Sequence, residues 1–376
     1  HSKGKIISKG DKYFDEVHNL KIQRFPVDYK VELDEILAEL KKNPLFSTLQ
    51  LSDDALNNYL KNGPYLPTLI DDLQNSPKKY DLIHTTFYPY FNNVIALMIG
   101  KKLKIPIIIT PFFHFSNPRY ENHNLMEILP KFDSIIACTP SEKTHLMNTL
   151  AISTNKIHII PMGVDYSYYS NPINYSFKAT YFPKKEQKYN MILFCGYKNY
   201  EKGAISILKA IPYILRKIKK IYFVFIGPPT QAFNREFSKV QKIKNTKIIN
   251  LTPDNLTGYF DKKKIAAFQE TDIFVMPSRS DAFGIAFLEA WAAGKPVIGA
   301  DIGATPEVIN KGIDGLIVAF DNPQALANHI INLLKKSRLR KKFGKAGQSK
   351  VLDHYTWDKI AEQTFILYQN LISDLK

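Results

Sequence analysis

Residues 273–300 read IFVMPSRSDAFGIAFLEAWAAGKPVIGA, and the fold follows from how that run divides. Ile273 to Met276 is a short apolar run that stops at Pro277, the pattern of a buried parallel strand. Ser278 to Ile285 is polar and carries a glycine, so it reads as a loop. Ile285 to Ala293 is rich in Ala, Leu, Phe and Trp and ends at Gly294 and Pro296, so it reads as a helix. Val297 to Ala300 opens the next strand. Strand, loop, helix and strand in that order predict an α/β fold with an open parallel sheet. Ligands of such sheets bind at the carboxyl ends of the strands, which is where this loop lies.

The placement carries chemistry. A helix starting near Gly284 turns its first free N–H groups toward the loop, and those donors favour an anionic or hydroxyl-rich ligand. Gly284 removes a side chain where a ligand needs close approach to the backbone. Asp281 lies on the loop and Glu289 about one turn into the helix. Two carboxylates so placed accept hydrogen bonds from sugar hydroxyls.

The stretch resembles the donor-binding motif of retaining glycosyltransferases of family 4, which adopt the GT-B fold. Their pattern is two acids eight residues apart, with Phe-Gly-aliphatic between them and then Leu-Glu-Ala. This chain has Asp281, Phe283-Gly284-Ile285 and Leu288-Glu289-Ala290. The resemblance implies that the first acid and the N–H groups of Phe283, Gly284 and Ile285 hold the donor sugar, and that Glu289 holds the nucleotide ribose. Asp281 stands where the family usually has Glu, one methylene longer. The plainer alternative is an ordinary strand–loop–helix unit with a capping acid.

A second glycine loop lies upstream. Met191 to Cys195 reads as a strand, Gly196-Tyr-Lys-Asn-Tyr-Glu-Lys202-Gly203 as a loop, and a helix follows to about Ile218. N–H groups and a lysine near a helix start suit a diphosphate. The family has Gly-Arg here, then Lys-Gly six residues after that first Gly. Lys202-Gly203 matches, whereas Tyr197 takes the place of the Arg and removes one fixed charge from the implied clamp. Lys198 is the candidate to replace it. Lys202 in a helix's first turn is otherwise a solvated lysine set against the dipole.

At 376 residues the chain is long enough for two domains, and 45% hydrophobic residues support real cores. No apolar run reaches the length of a membrane span and no signal peptide opens the chain. Cys138 and Cys195 sit in strand-like contexts, which suits a reducing compartment rather than a disulfide framework. No Cys/His cluster has zinc spacing and no Asp-x-Asp occurs, so no metal and no other cofactor is expected. Residues 1–165 hold 19 Lys and Arg against 18 Asp and Glu, while residues 166–376 hold 32 against 17, so the formal +16 lies almost wholly in the second half. That half could attract nucleotide phosphates or an anionic membrane surface. No nucleic-acid-binding signature accompanies it, so nucleic acid is not expected. Solvated lysine-rich faces explain most of the charge.

Taken in order, Lys21 to Pro26 resembles the third strand of the family's N-terminal domain. The two strands, glycine loop and helix that the family places before it are not visible, so the natural chain is expected to start earlier. Segments starting at Val31, Ser52 and Pro64 read as helices. Tyr80 to His84 reads as a strand, residues 91–103 as a helix and Pro106 to Thr110 as another strand, giving β–α–β. His114, in Pro111-Phe-Phe-His-Phe115, follows that strand. The resemblance puts a His here near the transferred sugar, whereas by itself a His among aromatics is as readily a satisfied core residue. His84, Arg119 and Tyr120 are weaker candidates. Ser134 to Thr139 is a strand, and Ser141 is read as the cap of the helix after it. Ile157 to Pro161 reads as a strand, and the Met162-Gly-Val-Asp165 that follows resembles the family's Pro-Asn-Gly-Val-Asp hinge, with Met for its usual Asn. Residues 166–188 lack periodicity and read as linker. The run from Lys335 to Lys345 is basic and reads as a solvated face, with a membrane-facing helix as the alternative, and Trp357 to Leu375 is an amphipathic helix.

The expected architecture is two doubly wound, Rossmann-like α/β domains facing across a cleft. An acceptor-side domain spans 1–168, a linker 169–189 and a nucleotide-sugar domain 190–355, and a helix over 356–376 crosses back. The resemblance implies a retaining, metal-independent transfer of a hexose from a UDP- or GDP-linked donor to an acceptor hydroxyl. His114, Lys202 and Asp281 would be catalytic, and Gly196, Tyr197, Lys202, Asp281, Phe283, Gly284, Ile285 and Glu289 would bind donor. The acceptor, a glycan, lipid-linked glycan or protein, is not visible in the sequence. A cytoplasmic protein, peripheral on a membrane's inner face if the basic half binds lipid, fits these features. The alternatives are a sugar-nucleotide epimerase and an inactive nucleotide-binding partner subunit.

Overall fold

The structure, a computed structural model, describes residues 13–17, 20–28, 32–75, 80–115 and 117–374. The chain divides into two compact units, one formed by residues 1–159 with 365–376 and the other by residues 160–364.

The first unit carries a parallel sheet in the order β3 (Ile83–Thr86), β4 (Ile107–Thr110), β5 (Ser134–Ala137), β6 (Ile157–Ile159). Ile-rich strands such as β4 and β5 are buried at every position, as a sheet covered on both faces requires. The helix Asn92–Leu103 is buried over most of its length, from Asn93 to Gly100. Thr139, not Ser141, caps the helix Pro140–Leu150, through its hydroxyl at 3.2 Å from the Glu142 N–H.

Lys21 to Pro26 corrects the expectation of a third parallel strand. β1 (Tyr13–Val17) and β2 (Leu20–Arg24) form their own antiparallel ribbon, with Glu16 opposite Lys21, and β2 pairs with no strand of the four-stranded sheet. Two short runs this close in sequence close a hairpin at the least loop entropy. The missing upstream strands that the resemblance implied lie outside the described residues.

The second unit has a six-stranded parallel sheet. It comprises β7 (Asn190–Cys195), β8 (Ile221–Ile226), β9 (Ile248–Leu251), β10 (Ile273–Met276), β11 (Val297–Ala300) and β12 (Gly315–Val318), in the spatial order β12-β11-β10-β7-β8-β9. The helix Ile285–Ala292 packs its Trp291 into the core, with the indole N–H donating to the Asp314 carbonyl at 2.9 Å. The helix Ser337–His354 comes so close that a Cβ on Gly347 would stand 1.9 Å from the Trp291 ring. The helix Trp357–Ser373 starts in this unit, and its residues from Phe365 on belong to the first.

Residues 169–189, read as linker, are folded parts of the second unit. Short helices span Tyr166–Ser170 and Phe177–Tyr181, and Tyr169, Phe177 and Phe182 are buried. The Glu270 carboxylate accepts from the N–H groups of Phe177 and Lys178 at 2.9 and 2.7 Å. Isolated aromatic anchors hold this segment, and anchors of that kind leave no periodic pattern to read.

Candidate functional site

The strand order of the second unit reverses between β7 and β10, because β8 and β9 follow β7 to one side while β11 and β12 follow β10 to the other. Such a reversal opens the crevice in which ligands of doubly wound sheets bind. It also makes neighbours of the loops leaving β7 and β10, residues 196–203 and 277–284.

The contacts between these loops are close. Gly203 has φ +74°, and a Cβ there would stand 2.2 Å from the Pro277 carbonyl oxygen, so only glycine allows the approach. Arg279 donates Nε and Nη2 to the two carboxylate oxygens of Glu201, each at 2.8 Å, and its N–H donates to the Glu201 carbonyl at 2.7 Å. Lys202 Nζ lies 2.8 Å from Asp281 Oδ2 and 3.3 Å from the Ser280 carbonyl. The lysine and the carboxylate singled out from separate stretches of sequence therefore share one site.

Gly284 caps the helix Ile285–Ala292 at φ +95°, and a Cβ on it would meet the Phe287 ring at 2.6 Å. Phe283 is buried, with its ring edge-on to Tyr355 at 5.6 Å. Ile285 is the first helical residue. Gly196 donates its N–H to Ile226 in the sheet at 2.9 Å. Tyr197 is 49% exposed. Lys198 does not replace the missing arginine charge. It is buried, its ammonium donates to Asn250 Oδ1 and to the Leu251 carbonyl, and burial lowers its pKa to about 8.

Glu289 is 2% exposed. Its Oε1 accepts from the Tyr169 hydroxyl at 2.7 Å, the Tyr259 hydroxyl at 2.7 Å and Lys264 Nζ at 2.8 Å. Burial, then the charge of Glu289, raises both tyrosines well above the ordinary phenol range, so they stay donors. Burial holds the neighbouring Cys195 thiol up at about 12. Sequence reasoning missed all three partners. Lys264 left a faint signal, since it sits four residues before the buried Phe268 on the inward face of the helix Lys262–Glu270. Three consecutive lysines hid which one turned in.

His114 belongs to the first unit, on the segment after β4, with its ring edge-on to Tyr120 at 4.9 Å. The next-door Phe113 N–H donates to Glu142 Oε1 at 3.0 Å, and the Cys138 N–H donates to Oε2 at 2.7 Å. Burial raises the Glu142 carboxyl to about 7 against those two bonds. His84 is half-buried, and both ring nitrogens are satisfied. Its Nδ1 meets the Tyr368 hydroxyl and its Nε2 meets Thr110 Oγ1 at 2.8 Å, while burial lowers its pKa to about 4. Among the described residues no group of three or more His, Cys, Asp or Glu is placed to hold a metal ion.

Residues 178–350 match the family described as glycosyl transferases group 1, and residues 44–168 match Glycosyltransferase Family 4. An uncharacterized glycosyltransferase of Methanocaldococcus jannaschii is 26% identical over 302 residues, 77% of this chain and 76% of that protein. The D-inositol 3-phosphate glycosyltransferase of Paenarthrobacter aurescens is 22% identical over 318 residues, 81% and 76% of the two chains. Against two other curated relatives the chain spans 62% and 48% of their length. Among solved structures, sucrose-phosphate synthase from Thermosynechococcus elongatus superposes with a TM-score of 0.71 at 18% identity, over 98% of this chain and 88% of that one. Anabaena HepE, solved in complex with UDP and glucose, superposes at 0.67 and 14% identity over 82% and 84%. The two parallel-sheet units are those of the GT-B fold, and the chain belongs to the group 1 glycosyltransferases of family 4.

Proposed function

We propose that this protein transfers a hexose from a nucleotide sugar to an acceptor hydroxyl with retention of configuration. The observation that carries the reading is the meeting of Lys202 and Asp281 beside the head of the helix Ile285–Ala292, at the strand-order reversal. A cation and helix N–H groups match a departing diphosphate, and their attraction for the charge it gains lowers the barrier electrostatically. Asp281 accepts from the sugar's hydroxyls, and Glu289 accepts from the ribose. The bond from the sugar's anomeric carbon to the diphosphate breaks, the acceptor oxygen bonds to that carbon on the same face, and the acceptor's proton leaves with the diphosphate. His114 acts on the transferred sugar, as the family resemblance implies. His114→Ala is expected to lower turnover while leaving nucleotide binding as in the parent.

HepE, solved with UDP-glucose, makes a UDP-linked hexose the first donor to try, with a GDP-linked one as the other arm. A thermal-shift panel of nucleotides and nucleotide sugars, followed by turnover of the stabilising donor, tests the reading. Binding without hydrolysis or transfer would make the chain an inactive nucleotide-binding subunit. Lys202 and the helix N–H groups supply the positive charge in this scheme, so a chelator should leave turnover unchanged. Turnover lost to a chelator and restored by manganese would contradict that part.

A further inference from the structure

Three donors from three chain segments land on one oxygen of Glu289. Tyr169 comes from the helix Tyr166–Ser170, Tyr259 from the loop before the helix Lys262–Glu270, and Lys264 from that helix itself. A carboxylate oxygen offers about two lone-pair directions, so Oε1 is fully subscribed. Among the described residues no donor reaches Oε2. Because the carboxylate is planar, fixing Oε1 from three sides also fixes where Oε2 points.

Lys264 is 7% exposed, and its ammonium lies 3.7 Å from the centre of the Tyr259 ring. A cation so buried needs an anion, and Glu289 is its ion-pair partner. The pair neutralises itself through Oε1 alone. A ribose brings two hydroxyl donors, which is what Oε2 of an ionised carboxylate takes.

We infer that Lys264, supported by Tyr169 and Tyr259, is a positioning residue that aims Glu289 Oε2 at the nucleotide's ribose and so sets how well the protein tells a ribonucleotide from its 2′,3′-dideoxy analogue. The inference rests on Glu289 being the ribose acceptor.

Calorimetric titration of UDP and 2′,3′-dideoxy-UDP, with the GDP pair in parallel, tests it. The parent should prefer the ribonucleotide about 10- to 100-fold, the scale of one or two charge-assisted hydrogen bonds. Lys264→Met should lose at least fivefold of that preference while its affinity for the dideoxy nucleotide stays within twofold, and Lys264→Arg should restore part of it. A support for folding alone would weaken both nucleotides together and leave their ratio unchanged, and an unchanged ratio in Lys264→Met overturns the inference. Tyr169→Phe keeps the ion pair and removes one donor. It should lose about two- to fivefold of the preference, which keeps the test open if Lys264→Met does not fold, and an unchanged ratio there also counts against the inference. A parent without any preference would remove the ribose reading of Glu289 and this inference with it. A preference in the parent that the Lys264 and Tyr169 variants keep would remove only the inference.

Discussion

Lys202 and Asp281 show what one residue can and cannot reveal. Each belongs to a short local pattern, Lys-Gly six residues after a glycine and two acids eight apart, so both were legible. Their 2.8 Å pairing across 79 positions was not, nor was the bond from Tyr169 to Glu289 across 120, because only the fold decides which distant side chains meet. Lys202→Ala should weaken nucleoside diphosphate binding about 10- to 100-fold, the loss of one charge-assisted contact. Calorimetry that finds parent-like affinity would remove the clamp. His84 carries a pH prediction. Its folded pKa of about 4 lies below the unfolded 6.5, so its contribution is whole above pH 6.5 and is lost as pH falls toward 4. The amount is on the order of 3 kcal/mol. Glu142 acts with the opposite sign, since its raised carboxyl gains stability as pH falls from about 7 toward its unfolded range. Comparison with His84→Gln, which keeps hydrogen-bonding groups and does not titrate, cancels that term. Urea midpoints at pH 7 and 5 should fall further apart in the parent than in the variant.

Among the elements, strands and long helices were easiest to read, because apolar runs and caps are local signals. β7, β10, β11 and the helix after Gly203 stand within a residue or two of where the sequence places them. Reading failed where tertiary anchors replace periodicity, at residues 166–188, and where a hairpin took residues expected in the parallel sheet, at β2. The approach of the loop after β7 to the loop after β10 depends on Gly203. Gly203→Ala puts a Cβ into the Pro277 carbonyl at a φ that alanine resists, so the loops must part. The backbone strain alone should cost about 1–3 kcal/mol, and nucleotide binding should weaken with it. A variant with parent-like melting and binding would mean the contact does not hold the site. Gly347→Ala drives a methyl into the Trp291 ring and should cost about 1–3 kcal/mol by overpacking, while nucleotide affinity in the folded fraction is unchanged.

Over the whole molecule, length, composition and two glycine loops pointed to paired α/β units, and both are there. The second unit begins at Ile160 rather than after a linker, because the segment after β6 packs into it. The charge asymmetry has a structural counterpart. Of the cations between 335 and 350, Arg340 pairs with Asp272 and Lys350 with Asp314, whereas Lys335, Lys336, Arg338, Lys341, Lys342 and Lys345 are exposed. No helix of the described residues is long and apolar enough to cross a membrane. We propose that this exposed basic face meets an anionic membrane surface. Flotation with phosphatidylglycerol-containing vesicles should retain the protein, and about 1 M salt, with its screening length of about 3 Å, should release it. Equal binding to neutral phosphatidylcholine vesicles would contradict the proposal.

The proposed function places a nucleotide sugar between residues 196–203 and 278–289. Amide hydrogen exchange with and without a saturating nucleotide sugar locates the ligand directly. Exchange is expected to slow in those two segments, led by the N–H groups of Phe283, Gly284 and Ile285. Slowing elsewhere, with both segments unchanged under saturation, would contradict it.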